Sequence, residues 1–444
     1  MLCRKSAAAA QILLPQLFCV PVWQGKFSVL PGFSRDISHF SNGKGEAIVK
    51  QAKSLSVRLA ALSAALVLGL SACGSPASTS SSQPQSQSQS QSQPASQAQG
   101  ELVSQGMMEL KYAKLFTIEM FEGGYRMIRG GTQDLEYLVV PEGAAVPEGL
   151  DPAVVVLQQP ITKIYTASNA MMSLASKIGA LENFKLCATK YESYYLPDII
   201  AQFDAGNLAY SGSYKEPDYE LMTSTGIQLH MDTTMVDSSP EVLEKFAELG
   251  IPSLVEDSSL EPEILGRVEW VKLLGVLFGK EAEAEEYFDQ QEAKFNAAVA
   301  GESYGKTVAM GYLSSDGKCY ARNGGDYLAQ MIEMAGGDYV CADMKPEDTG
   351  NSSMTFEEWY NYLADADYLF YYNIGQKVYS IQELIDANPL FADCKAVQNG
   401  NVWVTCDGFS QFSAEMADIL TDMNAVLASD DPASVETTYL VHLQ

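Results

Sequence analysis

The chain has 444 residues and a formal charge of −28, from 28 Lys and Arg against 56 Asp and Glu. That balance argues against a partner recognised through basic stripes, whether nucleic acid or anionic lipid head groups. A hydrophobic content of 47% with 10% aromatics excludes wholesale disorder, and three histidines (His39, His230, His442) leave little for a histidine-built metal centre.

The charge is unevenly placed. Eight of the basic and two of the acidic side chains lie in residues 1–73, so the remainder carries 20 against 54, a net −34. Residues 49–72 read as an export signal: Lys50, Lys53 and Arg58 precede the apolar run Leu59–Leu70. As a helix that run is about 18 Å long, short of the roughly 30 Å needed to span a bilayer. Its end, Leu70-Ser71-Ala72-Cys73-Gly74, resembles the bacterial lipobox, which makes Cys73 the acylated residue; the alternative is an ordinary signal peptide with a chance cysteine. Residues 1–48 lie upstream of a complete signal and are expected to be a mis-called extension. Val49 can be encoded by the alternative start codon GUG, and the DNA before that codon decides the point. Residues 73–100, with SQSQSQSQSQ at their heart, cannot bury apolar area to offset backbone entropy and are expected to form a flexible tether.

After Glu101 the chain reads as α/β. LFTIEMF and YRMIRG flank Gly123-Gly124, a hairpin signal, and YLVVPEG follows as a third strand. AVVVLQQP then precedes the helical SNAMMSLASKIGALENF, and IQLHMDTT precedes PEVLEKFAELGIP. The second half repeats the alternation with KTVAMGYL, GDYLAQMIEMAGG, DYLFYYNIG, IQELIDANPLF, NVWVTC and a helix near Ser413–Leu427. Strand–helix alternation implies parallel sheets with helices on their faces. Between the two series, residues 263–300 carry Val268, Val271, Leu274, Leu277 and Phe278 at helical spacing. This predicts one long helix joining an N-terminal α/β lobe (101–262) to a C-terminal one (301–444), with Gly279 as a point where it breaks in two. Cys187, Cys319, Cys341, Cys394 and Cys406 show no CxxC spacing and read as buried thiols, with Cys394–Cys406 the first pair to test for a bridge.

The order of lipobox, tether, lobe, helix and lobe resembles the substrate-binding lipoproteins of ABC importers for ferric siderophores, haem and vitamin B12. The segments that carry it are GSYKEPDYELMTSTGIQLHMDTT, PEVLEKFAELGIPSLVED, LGRVEWVKLLGVLFGKEAEAEEYF, DYLAQMIEMAGGDYV and NPLFADCKAVQNGNVWVT, in that order. The resemblance implies two Rossmann-like lobes with a ligand cleft between them, a monomer on the extracytoplasmic face of the membrane, and an ABC permease with its ATPase as partners. It implies neither an enzyme nor a resident cofactor; GxSxG, Walker A, HExxH and GxGxxG after a strand are all lacking.

In such a fold, ligands meet the loops after strand carboxyl ends. The candidates there are Thr166, Ser168, Asn169, Tyr210, Tyr214, Thr233, Thr234 and Met235 from the first lobe. The second supplies Tyr320, Arg322, Asn323, Tyr372, Asn373, Phe409, Gln411 and Phe412. Aromatic rings suit bulky chelates or macrocycles, and Arg322 suits an anionic group. An iron(III)-siderophore-type chelate is the expected ligand, with a cobamide or haem as the alternative, and a non-transport surface interaction lipoprotein as a further one. The zinc- and manganese-importing relatives use several histidines, which this chain lacks; bare ferric ion held by tyrosinates stays open. Arg267 and Glu269 read as a structural ion pair, with a ligand role as the alternative. The family docks its permease through a Glu on each lobe; by position these are Glu241 and Glu333, with Asp326 next, against the alternative that helices of so acidic a chain display carboxylates anyway.

Overall fold

The computed structural model describes residues 102–131 and 135–444. The expected extension, signal, lipidated Cys73 and tether therefore lie outside the described residues. The chain begins with a sheet of β1 (Ser104–Met107), β2 (Phe116–Phe121), β3 (Arg126–Gly130), β4 (Leu135–Val140) and β5 (Val155–Gln158) in sequence order. The β2–β3 hairpin turns at Gly123 and Gly124, both at positive φ (76° and 86°), where glycine carries no steric penalty. β4 and β5 pair in parallel.

The first parallel sheet follows. It comprises β6 (Ile164–Thr166), then α1 (Asn169–Lys177), β7 (Phe184–Cys187), α2 (Pro197–Asp204) and β8 (Ala209–Tyr210). A two-residue hairpin of β9 (Gly212–Ser213) and β10 (Glu216–Pro217) leads to α3 (Tyr219–Thr225), β11 (Leu229–Thr233), α4 (Pro240–Glu248) and β12 (Ser253–Glu256). The strand order is β12-β11-β6-β7-β8. AVVVLQQP therefore belongs to the preceding sheet as β5, and the short Ile-Tyr-Thr strand feeds α1 instead. Its three residues are all buried, so no alternation marks it in the sequence.

The predicted single helix over 263–300 is three helices: α5 (Ile264–Glu269), α6 (Val271–Phe278) and α7 (Glu281–Ala298). Gly279 closes α6 in the left-handed region at φ 64°, so the break anticipated there occurs and a second falls at Trp270. α7 then folds back along α6, and the two backbones meet closely at Gly275, where a Cβ would lie 2.8 Å from that of Ala284. α6 packs on α1 of the first lobe and α7 on the C-terminal helix of the second. The connection is a hairpin seated on both lobes rather than a rod.

The second sheet contains β13 (Lys306–Leu313), β14 (Cys319–Arg322), α8 (Tyr327–Met334), β15 (Gly337–Tyr339), β16 (Asn351–Met354), α9 (Phe356–Leu363), β17 (Tyr368–Tyr371), α10 (Ile381–Ala387), α11 (Lys395–Gln398), β18 (Val402–Thr405), α12 (Met416–Ala428) and β19 (Leu440–His442). β13, β17 and β18 are parallel at its centre; β14, β16 and β19 add antiparallel edges, and β15 pairs with the start of β13. Cys187, Cys319, Cys341 and Cys394 are buried free thiols, and Cys406 is half-buried.

Two buried carboxylates fasten the first sheet to the connection. Glu269 accepts the backbone N–H groups of Lys111, Tyr112 and Ala113 at 2.8–2.9 Å. Glu261 accepts those of Lys114 and Leu115 at 2.9 and 3.1 Å, and the Trp270 indole N–H at 3.0 Å. Five successive amides that belong to no helix or strand ladder thus find acceptors.

Candidate functional site

On the first lobe, the loop after β6 builds one wall. Ser168 caps α1 by accepting the Met171 N–H and donates its hydroxyl to Glu256 Oε1 at 2.8 Å. Thr166 Oγ1 accepts the Ser168 N–H at 3.0 Å, so both of these buried candidates are engaged in shaping the turn. Asn169 is half-buried and accepts the Thr189 hydroxyl. Glu256 ends β12, is 2% exposed, and accepts the Ser258 N–H with its second oxygen. Burial pushes its carboxyl up to about 7, against the opposing pull of the Ser258 and Ser168 hydrogen bonds.

Arg267 on α5 crosses from the connection to the second lobe. Its guanidinium lies over the Tyr327 ring at 4.3 Å, and its Nε is buried without a hydrogen-bond partner. Burial lowers its pKa, opposed by the nearby Tyr327, Asp326, Glu261 and Glu256. Glu269 lies two residues on, about 200° around the helix, and serves the amides of Lys111, Tyr112 and Ala113 and the Lys272 ammonium (3.2 Å) instead. The ion pair expected between Arg267 and Glu269 is therefore absent.

On the second lobe, Tyr320 stacks on Tyr312 across the β13–β14 pair, with centroids 5.1 Å apart. Arg322 ends β14 at 8% exposure, with its guanidinium 4.4 Å over the Tyr372 ring, Nη1 3.6 Å from Asp326 and Nε unpartnered. Burial works against its charge, and Asp326, Tyr327 and Tyr372 more than offset that, so its pKa is raised. Asp326 is itself buried, capping α8 at the Leu328 N–H and accepting the Gly350 N–H, which takes it off the surface where docking was expected. Asn323 and Asn373 are spent on local hydrogen bonds, to Thr349 and Ser352 and to Thr405 and Val378 respectively. They hold Arg322 and Tyr372 in place.

The carboxyl ends of the two sheets meet at a seam. Gln411 accepts the Tyr195 N–H at 3.0 Å and donates to the Ser193 carbonyl at 2.7 Å. Lys377 pairs with Asp407, lies over the Tyr195 ring and donates to its hydroxyl. Gly408, at φ 73°, lets the Tyr195 ring approach to where a Cβ would stand 2.4 Å from it. Deeper in, Glu415 joins Lys177 and Ser173 of α1. Phe409 packs edge-on against Tyr372, while Phe412 turns to Tyr439. Tyr210 (39%) and Met235 (57%) are exposed; Tyr214, Thr233 and Thr234 are half-buried.

The structure therefore gives three pairs, Ser168 with Glu256, Arg267 with Tyr327 and Arg322 with Tyr372; Glu256 lies within electrostatic reach of Arg267, and both guanidinium groups lie within that of Tyr327. Phe409 packs on Tyr372, and among the described residues Tyr210, Tyr214, Thr234 and Met235 share no hydrogen bond or ring contact with these pairs. Sequence reasoning missed Glu256, Tyr195 and Tyr327. Only the position of each near a strand or helix end signalled it.

An interlobe seam at opposed strand ends, with buried arginines and aromatic rings beside it, is the kind of place where ligands bind in open α/β folds. Residues 228–407 match the family model described as periplasmic binding protein, the kind of family that the sequence segments resemble. Two uncharacterized lipoproteins of Methanocaldococcus jannaschii are similar to the chain. MJ0878 is 26% identical over 61% of this chain and 66% of its own length, and MJ0872 is 25% identical over 68% and 77%. Among solved structures, a periplasmic binding protein from Veillonella parvula is 20% identical, covering 60% of this chain and 90% of its own, with a TM-score of 0.49.

Proposed function

We propose that the protein is an extracytoplasmic solute-binding lipoprotein of an ABC transporter. In this reading Cys73 carries the lipid, residues 73–100 form the tether, and lobes 101–262 and 301–444 close over the ligand about the 263–300 connection. The observation that carries it is the pair of buried, tyrosine-covered arginines near the strand ends, Arg267 over Tyr327 and Arg322 over Tyr372, which offers stacking faces and charge to a ligand. It binds and does not catalyse. The ligand is an iron(III)-siderophore-type chelate, or a haem or cobamide in the same cleft. The binding residues proposed are Thr166, Ser168, Asn169, Tyr210, Tyr214, Thr234, Met235, Tyr320, Arg322, Asn323, Tyr372, Asn373, Phe409, Gln411 and Phe412.

A thermal-shift panel of ferric siderophores, haem, cobalamin and simple ions tests this, because a ligand of the folded state raises apparent stability. A ferric chelate is expected to raise the melting temperature by several degrees. No shift across the whole panel overturns the reading.

For delivery, Glu241 and Glu333 are proposed to contact the permease. Both are exposed, on α4 and α8, although Glu333 also accepts the Tyr339 N–H at 2.7 Å. Reversing both charges, Glu241→Lys with Glu333→Lys, should cut uptake by cells while ligand affinity stays unchanged; unaltered uptake removes the assignment.

A further inference from the structure

We propose that Arg267 and Arg322 together form a receptor for carboxylate groups of the ligand, with Arg267, carried by the connecting helices, an unassigned half of it. The inference rests on the solute-binding reading and names the ligand's chemistry.

The two arginines share an unusual situation. Each guanidinium face is covered by a tyrosine ring, Tyr327 at 4.3 Å and Tyr372 at 4.4 Å, so only the in-plane edges can donate. In each, the buried Nε has no acceptor. A buried, charged donor left without a partner is disfavoured, and a native structure rarely keeps one without a reason. Arg322 is more than nine-tenths buried, and its contact with Asp326, at 3.6 Å, is too long for a hydrogen bond. Arg267 has no carboxylate within ion-pairing distance among the described residues, in a chain where acids outnumber bases two to one. The nearest acid on its own helix, Glu269, is turned away and occupied. Both guanidinium groups act electrostatically on Tyr327, and Asp326 lies 3.6 Å from Arg322 and within electrostatic reach of Arg267, so the two arginines are neighbours.

The edge formed by Nε and one terminal nitrogen is a fork that matches the two oxygens of a carboxylate. Two such edges, one from the connection and one from the second lobe, call for a ligand with at least two carboxylates. A citrate-type ferric chelate and a haem with its two propionates both have them; a neutral trihydroxamate chelate and cobalamin do not. The competing explanation is that a buried water serves each Nε.

Calorimetric titration of the whole chain with ferric citrate, haem, haem dimethyl ester and a neutral ferric trihydroxamate separates these. A carboxylate probe is expected to bind, and the ester and the trihydroxamate to bind about 30-fold more weakly or not at all. Arg267→Gln and Arg322→Gln should each weaken the carboxylate probe by about 30-fold and leave the weak probes unchanged. Arg267→Lys should restore only part, because it keeps the charge and loses the fork. The acid-versus-ester comparison needs no variant, so a substitution that fails to fold does not remove the test. Equal affinity for acid and ester, or variants within about 3-fold of the parent on the carboxylate probe, overturns the inference in favour of buried water. Tight binding of the neutral chelate alone overturns it while the solute-binding reading stands. Binding of none of the probes ends both.

Discussion

Glu269→Ala is expected to destabilise the protein by about 3–5 kcal/mol, the scale seen when a buried charged group loses its partner. The substitution strips acceptors from the amides of Lys111, Tyr112 and Ala113 and leaves the buried Lys272 ammonium with Glu285 and the Glu109 carbonyl. Glu269→Gln should be little better, since its amide group sets a donor against backbone donors. Chemical denaturation measures the loss. Limited proteolysis should show new cutting near residues 108–116, because the sheet ahead of the connection is released before the lobes unfold. A variant within about 0.5 kcal/mol of the parent and uncut there would show that the carboxylate does not hold the strand.

The second large effect is a pH dependence centred on Glu256. Its carboxyl is held up to about 7 in the folded state, against an ordinary value near 4.5, chiefly by burial. Below about pH 4.5 both states carry the proton and nothing is lost. As the pH rises the unfolded chain releases the proton first, so stability falls between about 4.5 and 7 and stays lower above that. The full penalty is about 3 kcal/mol. Glu256→Gln removes it: the amide can accept the Ser258 N–H and donate to Ser168 Oγ, keeping both contacts. The variant should match the parent at pH 4.5 and exceed it by about 3 kcal/mol at pH 8. Burial likewise raises Glu415 and Asp422, and it lowers His230. Those groups are common to both proteins and cancel in the difference. Parallel stability curves for the two would sink the assignment.

Much of the fold was legible because its signals are local. The β2–β3 hairpin follows from Gly123-Gly124, and β11, α4, β13, α8 and β18 from runs whose periods differ cleanly. The connection was misjudged for a physical reason. Val268, Val271, Leu274 and Leu277 continue a helical apolar stripe straight through Trp270, and a stripe records which face is buried, not whether the axis turns. β14 and β16 escaped because strands of only four residues, such as Asn351–Met354, leave too short a pattern to read. At the site, strand-end position singles out Arg322, Asn323, Tyr372 and Asn373 alike, and only the structure shows that the two asparagine side chains already make local hydrogen bonds. Arg267 and Glu269 looked like partners because sequence proximity was mistaken for adjacency; on a helix, residues two apart point away from each other. Glu256 was one acid among fifty-six, and only its depth in the fold distinguishes it.

The clamp on residues 111–115 also decides how force enters the molecule. β1, the strand closest to the chain's N-terminal side, is fully exposed along its four residues, whereas the next stretch is bound to Glu261 and Glu269 at the junction of α5 and α6. Tension arriving along the chain from that side is therefore borne by the hydrogen bonds to Glu261 and Glu269 before it reaches either parallel sheet.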